Sequence, residues 1–162
     1  MVRLADLDAR HRFFLMTYPF RRFNSGQPPM AALRHPLASC RVAVVTTAGL
    51  HGSLQAPFDT DKKGGDSSFR EIARDTDPST LRCSHRSDAF DVTGLAGDPN
   101  LALPLDRLRE LVEAGLIAAV APRHISFMGS ITKPLSLIEE TAPRAAALLK
   151  ADAVDAALLT PV

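Results

Sequence analysis

Three histidines stand where strand-like segments give way to loops. His51 follows residues 41–47, His124 follows residues 117–121, and His85 lies in the polar stretch Cys83-Ser84-His85-Arg86-Ser87-Asp88. Imidazole gives and takes protons near neutral pH and also ligates metals. Arg86 stands next to His85 in that stretch. Asp88 and Asp91 could be the paired carboxylates that acid–base chemistry uses, but capping of loop backbone is the several times better explanation of both. Were the three histidines to converge at one sheet edge with an aspartate, they would make a ligand set that Zn²⁺ accepts. Their spacing matches no metal motif such as HExxH, and no metal is assigned. The stretch Lys62-Lys63-Gly64-Gly65-Asp66-Ser67-Ser68 has phosphate-cradle residue types but neither GxxxxGK[ST] nor GxGxxG, and reads as a turn. Asn100 and Arg123 are weaker polar candidates. Each of these side chains also fits a loop-organising role, since most polar side-chain bonds serve the backbone.

The elements that must position these groups are legible in outline. The chain has 162 residues, 46% hydrophobic and 23% charged, a composition for one globular domain. Residues 41–47 (RVAVVTT) are β-branched and almost continuously apolar, as in a strand buried on both faces. Residues 69–73 alternate like a half-buried strand, and residues 76–80 make a turn. Residues 83–100 contain Gly94 and Gly97, show no helical period and read as loop. Leu105, Leu108, Leu111 and Val112 share one face of a helix over residues 105–114, closed by Gly115. A strand over 117–121, a helix over 134–150 and a strand over 156–160 complete a βαβ pattern, whose strands run parallel. The expected fold class is α/β: a partial open, mostly parallel sheet with flanking helices over residues 36–162, the N-terminal part of a longer domain. Residues 1–35 form an N-terminal arm, with a short helix around 6–16 broken at Tyr18-Pro19 and again at Gln27-Pro28-Pro29.

Charge is uneven. Residues 1–44 hold seven Arg against two Asp, and the remainder holds twelve basic against sixteen acidic residues. The arginines are scattered rather than run together, which argues against a nucleic-acid patch. No apolar run approaches the ~20 residues of a membrane span, and the N-terminal segment lacks a leader's pattern, so the expectation is a cytoplasmic protein. Cys40 and Cys83 form no CxxC and no disulfide framework.

Five ordered blocks together resemble the glycine/sarcosine/betaine/D-proline reductase selenoprotein B family: RVAVVTTAGLH (41–51), GGDSSFREI (64–72), SHRSDAFD (84–91), DPNLALPLDRL (98–108) and APRHISFMG (121–129). Thr17-Tyr18-Pro19-Phe20-Arg21-Arg22 in the arm is similar to small members of that family. The resemblance implies an oxidoreductase component in which a selenolate or thiolate attacks an activated small substrate, with a disulfide as electron acceptor. It implies that a pyruvoyl group on a partner subunit holds the amine substrate as a Schiff base, and that a thiol system is the reductant. The anion is the nucleophile, and a chalcogen of low pKa suits the role. Carried over residue by residue, it makes His51, His85, Arg86, Asp88 and His124 the catalytic candidates, with no cofactor held in this chain itself.

Neither cysteine matches the family's redox position. That segment follows a strand resembling residues 158–162, so a selenocysteine is expected immediately after Val162, its UGA codon read as a stop. The chain would then be truncated and inactive alone. The alternative is a catalytically dead docking subunit or a small-ligand-binding α/β domain. No nucleic acid or membrane partner is expected, and the residues do not select the substrate.

Overall fold

The structure, a computed structural model, describes residues 4–19, 31–87, 90 and 92–162, in two units that divide after Ala32. In the first unit a 3₁₀ turn, Leu4–Asp6, precedes helix α1, Ala9–Thr17. Asp8 caps α1 by accepting the N–H groups of Arg10 at 2.9 Å and His11 at 3.1 Å. Its carboxyl also pairs with the His11 ring, and this bond holds it below the usual carboxylate range. The helix stops at Tyr18, whose backbone is extended because the ring of Pro19 disfavours helix in the residue before it.

The second unit is built around β1, Arg41–Thr46. Strands β2, Leu50–His51, and β4, Arg82–Cys83, form a small antiparallel pair, with β3, Phe69–Ala73, between them in sequence. A helix, α2, spans Val92–Gly97 in the stretch expected to be loop. Its two glycines remove the apolar period that would have announced it. Helix α3, Leu105–Glu113, buries Leu105 and Leu108 as its stripe requires, and Gly115 ends it. Beyond it lie β5, Ala119–Val120, and β6, Arg123–Phe127. A π turn, Leu137–Thr141, runs into α4, Ala142–Ala151. Pro143 has no N–H and would crowd the carbonyl four residues back, which the wider turn relieves. Strand β7, Ala156–Thr160, closes the order.

The sheet is mostly parallel. β1 pairs in parallel with β5, β6 and β7, and β3 adds an antiparallel edge to β6. Residues 42–45 of β1 are all apolar because both faces of the strand are covered. Val42 and Val44 pack with Leu103, Leu105 and Leu108 on one side, and Ala43 packs with Ile125, Phe127 and Leu149 on the other. β7 lies on the opposite edge of β1 from β5 and β6, with Leu158 and Leu159 exposed.

A second sequence expectation needs correction here. Of the strand expected over 117–121 only β5, Ala119–Val120, forms, and a further strand, β6, follows Ala121-Pro122, so His124 lies inside a strand rather than in a loop beyond one. Between the β1–β5 and β1–β6 pairings the backbone ladder is broken. The Val44 N–H donates instead to His124 Nδ1 at 2.9 Å. An imidazole therefore fills the gap that Pro122, with no N–H of its own, opens in the ladder.

Candidate active site

In open α/β sheets chemistry collects at the carboxyl ends of the strands. Here those ends are joined by Thr47 and Gly49. Thr47 donates its N–H to Thr160 O at 3.2 Å, and its carbonyl accepts Gly129 N–H at 2.8 Å. Its hydroxyl holds the backbone of Val162, accepting the N–H at 3.0 Å and donating to the carbonyl at 3.3 Å. Gly49 donates to Phe127 O at 2.8 Å and accepts Ser84 N–H at 2.9 Å, bringing the 84–87 loop onto the edge. Its φ is +67°, and an added Cβ would lie 2.2 Å from Ser84 O, so only glycine fits.

His85 sits over this junction. A Cβ on Gly129 would lie 3.0 Å from His85 Nε2 and 3.1 Å from Thr47 O. The ring's Nδ1 accepts Ser87 N–H at 3.1 Å, which places the proton of the neutral ring on Nε2. That Nε2 is buried and has no hydrogen-bond partner among the described residues. Burial holds the His85 pKa below the ordinary imidazole value, against the opposing effect of the Ser87 bond. At neutral pH His85 is thus an uncharged ring whose Nε2–H lies buried against Gly129. Its ring centroid lies 4.5 Å from that of Phe90.

His51 is brought to the same place through Ser84. Its Nδ1–H donates to Gly52 O at 3.1 Å, so its Nε2 accepts the Ser84 hydroxyl at 2.9 Å. His51 is buried and acts as an anchor for the loop that carries His85. Arg86 is exposed and donates to Lys62 O at 3.0 Å, tying that loop to residues 59–66. Asp66 steadies the latter turn by accepting Asp59 N–H at 3.1 Å and Ser68 N–H at 3.0 Å. Burial works to raise its pKa, but these bonds outweigh burial and hold the carboxyl low.

The remaining candidates part company with this group. Asp88 and Asp91 lie outside the described residues. His124 is fully buried within β6, level with Ile72 of β3, and the expected convergence of three histidines does not occur. Its pKa falls to about 4, through burial first and then the positive charge of Arg109. Its Nε2 is also buried without a partner. Among the described residues no three His, Cys, Asp or Glu side chains cluster to hold a metal. Asn100 is structural. It accepts Asp106 N–H at 3.1 Å and donates to Asp98 at 3.1 Å and to Asp106 at 3.0 Å.

Arg123 pairs with Asp152 at 2.5 Å and with Glu71 at 2.6 Å. An Arg123→Ala chain is expected to melt somewhat earlier at low salt, with the deficit shrinking as salt screens the pairs. Circular-dichroism melts at two salt concentrations check this, and an unchanged Tm at low salt would contradict it. Cys83 donates its S–H to Ala48 O at 3.1 Å, and burial pushes the thiol up, away from the thiolate a nucleophile needs. Thr47, Gly49, Ser84 and Gly129 were not singled out by sequence, since nothing local marks their long-range bonds. Among the described residues no helix is long and apolar enough to cross a membrane.

A neutral N–H donor at the carboxyl ends of parallel strands can stabilise a negatively charged atom placed there. The chain is 36% identical over 133 residues to the D-proline reductase subunit gamma of Acetoanaerobium sticklandii, an alignment covering 82% of this chain and 53% of that protein. The chain thus spans about half the length of this curated relative. No solved structure matches it. The profile of glycine/sarcosine/betaine reductase selenoprotein B matches residues 9–162, and the chain belongs to that family.

Proposed function

We propose that this chain forms the strand-edge part of a reductase that cleaves a small substrate of the glycine, betaine, sarcosine or D-proline class. The nucleophile is a selenolate or thiolate, and a dithiol/disulfide couple carries the electrons. The observation that carries this reading is the buried, unpartnered Nε2–H of His85, lying over Gly129 beside the residue that holds Val162. Reductive cleavage of a C–N bond consumes two electrons and two protons, the same count a dithiol releases on becoming a disulfide. The relative's name, D-proline reductase subunit gamma, supports both the reaction class and a multi-subunit assembly.

A selenocysteine or cysteine immediately following Val162 would supply the anionic nucleophile, and a pyruvoyl group on a partner subunit would hold the substrate amine. The residues present fit an anion at this position. His85 donates from Nε2, and desolvation keeps its ring neutral, so the N–H is retained without an accompanying charge. Thr47 holds the backbone of Val162. His51 and Ser84 hold the loop, and Arg86 offers its exposed guanidinium to a substrate carboxylate or a partner surface. The setting is cytoplasmic, where thiol reductants are abundant.

A docking role is favoured by one observation alone, the exposed Leu158 and Leu159 on the free edge of β7. The two readings part in an assay. In the chain extended through the frame beyond Val162, combined with its partner subunits and a dithiol, His85→Ala is expected to lower turnover about a hundredfold, the usual cost of one lost donor to a developing anion. Its Tm should stay near that of the unmodified chain. Undiminished turnover would remove His85 from the site.

A further inference from the structure

We propose that Ser84 is a base-activated nucleophile that takes acyl groups from small carboxylic esters. The proposal stands on the geometry of His51 and Ser84 and draws nothing from the reductase chemistry. A hydroxyl is a weak nucleophile, and its activation needs a base within hydrogen-bond reach and a third group that orients the base. All three are present. His51 Nε2 lies 2.9 Å from Ser84 Oγ, and Gly52 O lies 3.1 Å from His51 Nδ1. With Nδ1–H given to that carbonyl, Nε2 is left as the acceptor, so the hydroxyl points its proton at the ring.

Paired strands set this approach. His51 ends β2, Ser84 follows β4 directly, and the two strands pair Leu50 with Cys83 and His51 with Arg82. Ser84 is fixed a second time by its N–H on Gly49 O at 2.9 Å. Groups carried on such elements keep their geometry more closely than groups carried on loops. The base is the more enclosed partner. His51 is 5% exposed and meets the Phe58 ring edge to face, with centroids 6.4 Å apart, whereas Ser84 is half-buried. The proton acceptor is thus shielded, and the attacking oxygen is the more open of the two, with room for a small acyl group only. In the step itself Ser84 Oγ attacks the ester carbonyl carbon, and its proton passes to His51 Nε2. Collapse of the tetrahedral adduct breaks the ester C–O bond, and the alcohol leaves with the proton held by His51. Water then repeats the exchange on the acyl-serine, releasing the acid and restoring Ser84.

The test is labelling of the full-length protein with a fluorophosphonate, which forms a stable adduct with activated serines, and separately with p-nitrophenyl acetate. Peptide mass spectrometry then maps each adduct, which separates Ser84 from any chalcogen nucleophile. Adducts on Ser84 are expected in the folded protein and not in the urea-unfolded one. His51→Gln keeps an acceptor oxygen near the position of Nε2 but cannot take a proton, so it preserves the anchoring bond and removes the base. Labelling should then slow about a hundredfold, the lower end of what a positioned base contributes. Should that variant fail to fold by circular dichroism, the unmodified protein decides, since labelling governed by proton transfer is slower in D₂O than in H₂O. Absence of the Ser84 adduct with either probe, equal labelling of folded and unfolded chains, labelling undiminished by His51→Gln, or equal rates in the two solvents would each overturn the proposal. The hydrogen bond would then be a loop anchor alone, and the reading of His85 would stand.

Discussion

Lowering the pH from 7 to 4 is expected to strip about 3 kcal/mol from the stability of this chain through His124 alone, and His124→Asn should remove most of that loss. The free imidazole value is 6.5 and the native one is about 4, so as pH falls the unfolded chain binds the proton first. The stabilising contribution is therefore complete above about pH 6.5 and drains away between there and about pH 4. The physical event is specific. Protonating Nδ1 converts the acceptor of the Val44 N–H into a donor, and the gap in the β1–β6 ladder then has no acceptor. Asparagine keeps an acceptor oxygen near the same place but does not titrate. For a chain of this length the loss corresponds to a fall in Tm of roughly 6–12 °C. His85 is held low by burial as well and adds its own loss of stability on the acid side, which is why the comparison of wild type with the Asn variant, rather than the wild-type profile, carries the test. Melts at pH 7 and pH 4.5 suffice. An Asn variant with the full acid sensitivity of the wild type would contradict the role given to His124.

The second large effect belongs to Gly49. Gly49→Ala must place a Cβ 2.2 Å from Ser84 O and 2.9 Å from Ser84 C, both of them backbone atoms, while holding φ at +67°. The backbone conformation alone costs about 1–2 kcal/mol for an L-residue. The overlap adds to this, because the 84–87 loop must move and take His85 with it. A suitable control exists in Gly115, at φ +69° with nothing within 4 Å of its added Cβ, where Ala meets the conformational cost only. Urea denaturation should therefore rank Gly49→Ala well below Gly115→Ala, by about 2 kcal/mol or more, as for other clashes in packed regions. In the reconstituted reductase, Gly49→Ala should also lose turnover while Gly115→Ala keeps it. Equal destabilisation by the two variants would show that the Ser84 loop is not seated on Gly49 as described.

Both effects depend on features that only the folded chain displays, and this marks how far the sequence could be read. Helix α3 was legible because Leu105, Leu108, Leu111 and Val112 repeat at helical spacing and Gly115 follows. β1 was legible because a run of β-branched residues has few other uses. β6 was hidden by Pro122 and by a polar residue, His124, at a position where a strand in a two-faced sheet is expected to be apolar. The ladder break explains both at once, but no local pattern announces it. α2 was lost to Gly94 and Gly97, and β2 and β4 are too short for any period to show. At the site, His51, His85 and Arg86 could be picked out by residue type and position beyond strands. The parts played by Thr47, Gly49 and Gly129 could not, since each is set by bonds to residues distant in the chain.

The most direct measurement is the sequence of the transcript beyond the codon for Val162. A UGA followed by an open frame, with a nearby cysteine codon and further βα units, is the expected result, and it would put a selenocysteine next to Val162, as the proposed function requires. A UAA or UAG at that codon, or a closed frame after it, would contradict the reductase chemistry proposed for this chain.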